Sequence, residues 1–145
     1  EVTRSDNLAS MLIDNMSDVT MVAILVGVIT LFSASISLMN IMLVSVTERT
    51  REIGTRKALG AKRNNIMLQF LAEAVAITQI GGIFGVVLGI IIGNGVASFI
   101  GGSFFIPWDW IALSFLMCVV VGIAAGIYPA SKAAKLDPIE ALRYE

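Results

Sequence analysis

The residues able to carry chemistry in this chain are few, and most of them stand together. Six of its ten basic side chains, Arg49, Arg51, Arg56, Lys57, Lys62 and Arg63, fall within VTERTREIGTRKALGAKRNN, residues 46–65, beside Glu48 and Glu52. Histidine is absent, and the one cysteine, Cys118, sits inside an apolar run, where it reads as a small packing residue. This excludes histidine-dependent triads, HExxH and Cys/His metal sites and internal disulfides. No GxxxxGK[ST] phosphate loop occurs, so the chain is not expected to hydrolyse ATP by itself. No catalytic, cofactor-binding or metal-binding residue is assigned, because no nucleophile stands with a base. What the cluster offers instead is charge, able to pair internally, meet anionic lipid or dock on a partner.

Within the cluster, Glu52 precedes Arg56 by four residues, the favourable order for a helical ion pair. Ile53 and Leu59 supply apolar contacts, and Gly54 and Gly60 can cap or bend the chain. The pattern predicts a short helix broken from its neighbours. A solvated basic loop held near lipid headgroups is the alternative, and pattern alone leaves both open.

The flanking segments explain where such a cluster must lie. The chain is 57% hydrophobic and 14% charged, with mean hydropathy +0.86, whereas soluble domains carry about 25% charged residues. Three runs carry no charge: Val19–Thr47, Ala74–Trp108 and Trp110–Ser131, of 29, 35 and 22 residues. About 20 helical residues cross a bilayer core of ~30 Å. The strand alternation of a membrane barrel is missing from all three. Three transmembrane helices are expected, over about 19–47, 66–98 and 108–130, with an inter-span segment at 48–64 and a tail at 131–145. Leu8, Met11, Leu12 and Met16 recur near helical spacing, so residues 5–18 are expected to extend the first helix beyond the bilayer.

A net charge of −1 gives no global field for nucleic acid, and none is expected as a partner. The basic residues are nevertheless segregated. Nine lie in the 48–64 segment or in the tail (Lys132, Lys135, Arg143), and only Arg4 lies elsewhere. Lysine and arginine mark the cytoplasmic side of membrane proteins. The 48–64 segment and the C-terminus are therefore expected inside, and residues 1–18 and the loop near 99–109 outside. The chain starts with Glu and has no basic leader region. An outside N-terminus then calls for an earlier transmembrane helix, so the chain is read as the C-terminal part of a larger protein.

Packing signals lie in the spans. Gly81, Gly85, Gly89 and Gly93 recur every four residues, as overlapping GxxxG units that allow close helix approach. Cys118, Gly122, Gly126 and Ala130 form a similar column. These columns suit each other, a missing helix or a second subunit equally well. Ser33, Ser37 and Asn40 form a polar stripe suited to helix contact. Trp108 and Trp110 fit an outer interfacial belt, and Pro107 a helix start. Glu73, the only charge between Arg63 and Asp109, is expected in an interfacial ion pair. In the tail, Asp137, Pro138 and Glu140 fit the N-cap, N1 and N3 positions of a terminal helix.

The stretch MNIMLVSVTERTREIGTRKALGAKRNNIMLQFLAEA, residues 39–74, together with YPASKAAKLDPIEALRYE at the end, resembles the permease domain of MacB-type ABC transporters, in the broader FtsX-like family. The resemblance covers essentially the whole chain. It implies an all-α membrane protein comprising the last three helices of a four-helix permease domain, with residues 1–18 as the end of an extracytoplasmic stalk and residues 19–145 as the transmembrane domain. A cytoplasmic coupling helix would map to about residues 48–61, with Glu48, Arg51, Glu52, Ile53, Arg56, Lys57, Leu59 and Gly60 as its functional members. A short amphipathic helix would close the chain. The implied partners are an ABC ATPase domain that binds ATP and magnesium, a second permease copy or a related permease, a periplasmic adaptor, an outer-membrane channel and lipid. The implied location is the bacterial inner membrane. Export of macrolide-, peptide- or toxin-like substrates by transmitted motion is the leading function. The alternatives are regulation of cell-wall hydrolases and lipoprotein release.

Overall fold

The computed structural model describes residues 2–137, 139 and 141, with the side chains of 10, 11, 13–137, 139 and 141. Four helices follow one another: α1 (Val2–Glu48), α2 (Thr50–Ala58), α3 (Arg63–Phe99) and α4 (Trp108–Lys135), and no strand occurs among the described residues. Three stretches, Ile13–Glu48, Arg63–Phe99 and Trp108–Lys135, are long and apolar enough to cross a membrane. The chain divides into two units, Glu1–Ala34 and Ser35–Glu145.

The first unit is helical from Val2 onward, in line with the extension expected for residues 5–18. The side chains of Leu8 and Leu12 lie outside the described residues. Thr20 donates its hydroxyl to the Met16 carbonyl and Thr30 to those of Val26 and Gly27. Each hydroxyl is thus satisfied within its own helix, as hydrocarbon requires.

In the second unit α3 and α4 are antiparallel neighbours held together by small residues. A Cβ on Gly126 would sit 2.6 Å from the Ala74 Cβ, one on Gly122 2.6 Å from the Thr78 Oγ1, and one on Gly82 2.8 Å from the Cys118 Sγ. The rungs therefore pair 74 with 126, 78 with 122 and 82 with 118, so backbones approach as closely as a glycine surface permits. Gln79 donates to the Phe115 carbonyl at 3.1 Å across the same contact. The α3 partner of the α4 column is the face of Ala74, Thr78 and Gly82. Gly81, Gly85, Gly89 and Gly93 are exposed, with nothing within 4 Å of an added Cβ.

Helices run past the expected spans where charge can snorkel or complement the helix. α3 starts at Arg63, and α4 runs on to Lys135 with Lys132 and Lys135 in its last turn. Cations there face the negative end of the helix dipole. α3 closes with Gly101 at φ +78°, the Gly101 amide donating to Ser98 and the Gly102 amide to Ala97. This is the paired bonding of a Schellman ending. Pro107 caps α4, which begins at Trp108. The tail turns at Asp137, whose Oδ1 accepts the Ile139 amide and whose carbonyl accepts the Ala141 amide, both at 2.9 Å. Pro138 and Glu140 of the expected capping box, with Arg143 and the other end residues, lie outside the described residues.

The rungs predict an asymmetry among glycines. In the full-length protein in detergent, Gly126→Ala should lower unfolding stability by about 1–3 kcal/mol through overpacking. Gly85→Ala should leave the α3–α4 contact unchanged. Thermal unfolding checks this, and equal tolerance of both changes would contradict the assigned contact face.

Candidate functional site

The charged segment is a packed element of the second unit. α1 and α2 are separated by Arg49 alone, at φ −96° and ψ 13°, and hydrogen bonding carries across it. The Arg49 amide donates to Ser45 and the Ile53 amide to Arg49, each at 3.0 Å, while the Thr50 hydroxyl donates to Val46 and Thr47. The far end of α2 stops sharply at Gly60, φ +93°. The Gly60 amide donates to Lys57 at 2.9 Å and the Ala61 amide to Arg56 at 3.0 Å, a second Schellman ending. Glycine is needed there because a side chain at positive φ costs roughly 1 kcal/mol.

Ile53, 4% exposed, drops from α2 into a buried cluster with Met42, Val46, Ile66, Phe70, Ala74, Ala130 and Ala133. Gly54 is buried beside it, and a Cβ there would meet the Ala141 Cβ at 2.6 Å. Gly54 thus serves close packing in mid-helix, not capping or bending. Ala141 lies directly against α2.

Charge ties the same helix to its neighbours. Arg56 pairs with Glu52 and donates to the Gln69 Oε1 at 2.8 Å. Arg49 lies 3.7 Å from Glu73, so Glu73 has the ion-pair partner its position called for. Both members are partly exposed, and such a pair contributes at most about 1 kcal/mol. The crevice among Arg49, Glu52, Ile53, Arg56, Gln69 and Phe70 holds about 10 Å³, no more than one water requires. These charges position helices and enclose no ligand.

Lys57 is half-buried and turned away from solvent-facing α2. Its Nζ donates to the carbonyls of Ala134 at 2.7 Å and Leu136 at 2.6 Å, at the end of α4. A cation there is worth about 0.3–1 kcal/mol, up to ~2 when partly buried. By contrast Glu48, Arg51, Thr55 and Ala58 are exposed, and Leu59 is 85% exposed with no apolar partner in the core. The expected coupling residues therefore split into an inner set, Ile53 and Lys57, a joint of Glu52, Arg56 and Gly60, and an outer set, Glu48, Arg51 and Leu59.

At the opposite end of α3 and α4 the Asn94 amide clasps the loop, its Oδ1 accepting the Phe105 amide at 2.8 Å and its Nδ2 donating to the Phe105 carbonyl at 3.1 Å. An open groove of about 430 Å³ lies there, lined by Gly89, Gly93, Asn94, Phe105 and Trp110 among others. The sequence reading missed this clasp, although a lone amide in an apolar run signals that it needs a polar partner. Among the described residues no group of His, Cys, Asp and Glu could hold a metal.

Residues 24–138 match the FtsX-like permease C-terminal family. The chain belongs to that family. The chain is 50% identical over 120 residues to a macrolide export ATP-binding/permease protein MacB of Bdellovibrio bacteriovorus, covering 83% of this chain and 18% of that protein. It is 51% identical over 117 residues to the uncharacterized ABC transporter permease YknZ of Bacillus subtilis, covering 81% and 30%. A MacB of Acinetobacter baylyi is 39% identical over 143 residues, covering 97% and 22%. The chain thus spans less than a third of the length of these relatives. Permease family and three long apolar helices together make it a multi-pass membrane protein.

The inner and outer faces of α2 predict opposite responses. Ile53→Ala should cost about 2–5 kcal/mol by opening a core cavity, whereas Leu59→Ser should change stability by no more than about 0.5 kcal/mol. Chemical unfolding in detergent compares the two, and a Leu59 effect as large as that of Ile53 would contradict the assigned faces.

Proposed function

We propose that this chain is the C-terminal transmembrane part of an ABC transporter permease that passes ATP-driven motion across the membrane for export of macrolide-, peptide- or toxin-like substrates. The observation that carries the proposal is the two-faced α2: a helix welded inward by Ile53, Gly54 and Lys57, yet presenting exposed Leu59 and Arg51 outward. A helix packed on its inner face, with an exposed leucine among charged side chains on its outer one, suits docking against another protein better than a solvated loop does. The partner is an ABC ATPase domain, separate or fused, which supplies the ATP and magnesium site. A second permease copy or a related permease completes the membrane unit, with a periplasmic adaptor and an outer-membrane channel beyond it. The membrane is the bacterial inner membrane, with the N-terminus of the chain outside and the C-terminus in the cytoplasm. The names of the relatives support export over cell-wall hydrolase regulation or lipoprotein release.

Orientation is tested by single cysteines at Asn64 and Ser103, both exposed, in a Cys118→Ala background. A membrane-impermeant maleimide should label Ser103→Cys from outside and Asn64→Cys only after the membrane is opened; labelling of both from outside would sink the topology. Docking is tested in the full-length transporter. Leu59→Asp, and Gly60→Pro, which cannot hold φ +93°, should leave the protein inserted while ATP turnover loses its response to the permease. Parent-like responses in both variants would reject docking and leave only attraction to lipid.

A further inference from the structure

We propose that Lys57 is a positioning residue that transmits displacement of α2 directly to α4, rather than a contact for the ATPase; the inference rests on the docking role proposed for α2. Covalent continuity links α2 only to α1 and α3. α4 is remote in sequence, with Ala134 and Leu136 lying 77 and 79 positions from Lys57. Motion can reach it from α2 only through noncovalent contacts or around the whole of α3.

Three features concentrate that contact on one side of α2. Ile53 packs in the cluster containing Ala130 and Ala133, with Leu136 against it. Gly54 receives Ala141, which is 2% exposed. Lys57, one turn on from Ile53, donates to the carbonyl of Ala134 in the last turn of α4 and to that of Leu136, its C-cap. The Ala134 carbonyl has a chemical reason to need this donor: it stands in the last turn of α4, which ends at Lys135, and the last four carbonyls of a helix have no intrahelical amide partner. A helix end left without a backbone donor thus receives one from α2, with the charge suited to its dipole. The ammonium is spent on this contact and faces inward, leaving Arg51, Thr55, Ala58 and Leu59 as the outward surface.

The test uses the full-length transporter with its ATPase domain in a Cys118→Ala background, one spin-labelled copy per complex. One label pair, Thr55→Cys with Lys132→Cys, reports α2 against α4; another, Thr55→Cys with Leu68→Cys, reports α2 against α3. All three positions are exposed. In the parent both distances should be narrow and should not change between the nucleotide-free state and the state trapped with ATP and vanadate. In Lys57→Met the α2–α4 distance should shift on trapping by about 2 Å or more, the size of helix shifts in switching proteins, while the α2–α3 distance holds. Lys57→Arg, which keeps a cationic donor, should behave as the parent. Parent-like α2–α4 distances in Lys57→Met would overturn the proposal, as would equal loosening of both pairs, which marks a merely structural cap. Should Lys57→Met fail to insert, Lys57→Gln is read by the same outcomes. Adding Leu59→Asp to Lys57→Met should abolish the nucleotide-dependent shift. A shift that survives that addition overturns the docking role while leaving the Lys57 link standing.

Discussion

Hydrocarbon offers no hydrogen-bond partner, and this chain pairs its polar groups internally within the spans and at the helix ends that flank them. A backbone group left unpaired in lipid costs several kcal/mol, so the chain must satisfy its helix ends and polar side chains from within. It does so repeatedly. Both α2 and α3 end on a glycine at positive φ that returns two amides to the preceding turn. Serine and threonine hydroxyls within the helices bond carbonyls three or four residues back. Asn94 closes the outer loop with both faces of its amide. Lys57 closes the end of α4, donating to the Ala134 and Leu136 carbonyls. Among the described residues, no buried side-chain nitrogen or oxygen lacks a partner.

The same constraint explains how the spans hold together. Lipid tails are as apolar as leucine, so association in the membrane depends on close packing rather than on release of apolar surface from water. The α3–α4 contact accordingly runs over Ala74, Thr78, Gly82, Cys118, Gly122 and Gly126, where backbones meet with almost no side chain between them. The larger buried residues gather instead at the charged end, beneath α2, around Met42, Ile53, Ile66 and Phe70. The bulkiest part of the core thus lies beneath the segment between the first two spans.

Much of this was legible from local pattern. Uninterrupted apolar length marks the three spans, the Glu52–Arg56 spacing points to a helix between them without excluding a solvated loop, and Gly60 is readable as a cap or bend, because each depends on residues within one or two turns. Contacts between elements were legible only in part. The α4 column of Gly122 and Gly126 was visible as small residues, but its partner was not, since the Gly81–Gly93 period is equally regular and differs by a single position from the Thr78–Gly82 face that α4 meets. Lys57 stands in a row of similar cations, and nothing in the row singles out the one that reaches residues 77 and 79 places away. Gly54 looked like a helix breaker because its need for space comes from Ala141, at the far end of the chain. Glu73 was readable as a charge in want of a partner, whereas the identity of Arg49 required the fold.

The resulting account is of an inter-span helix fixed on its inner face and available on its outer one. Photo-cross-linking in the assembled transporter addresses that division directly. A photoreactive amino acid at Leu59 should cross-link to the ATPase domain, and one at Ile53 should cross-link only within the permease chain. Cross-linking of Leu59 to lipid alone, with no adduct to the ATPase domain, would contradict the account.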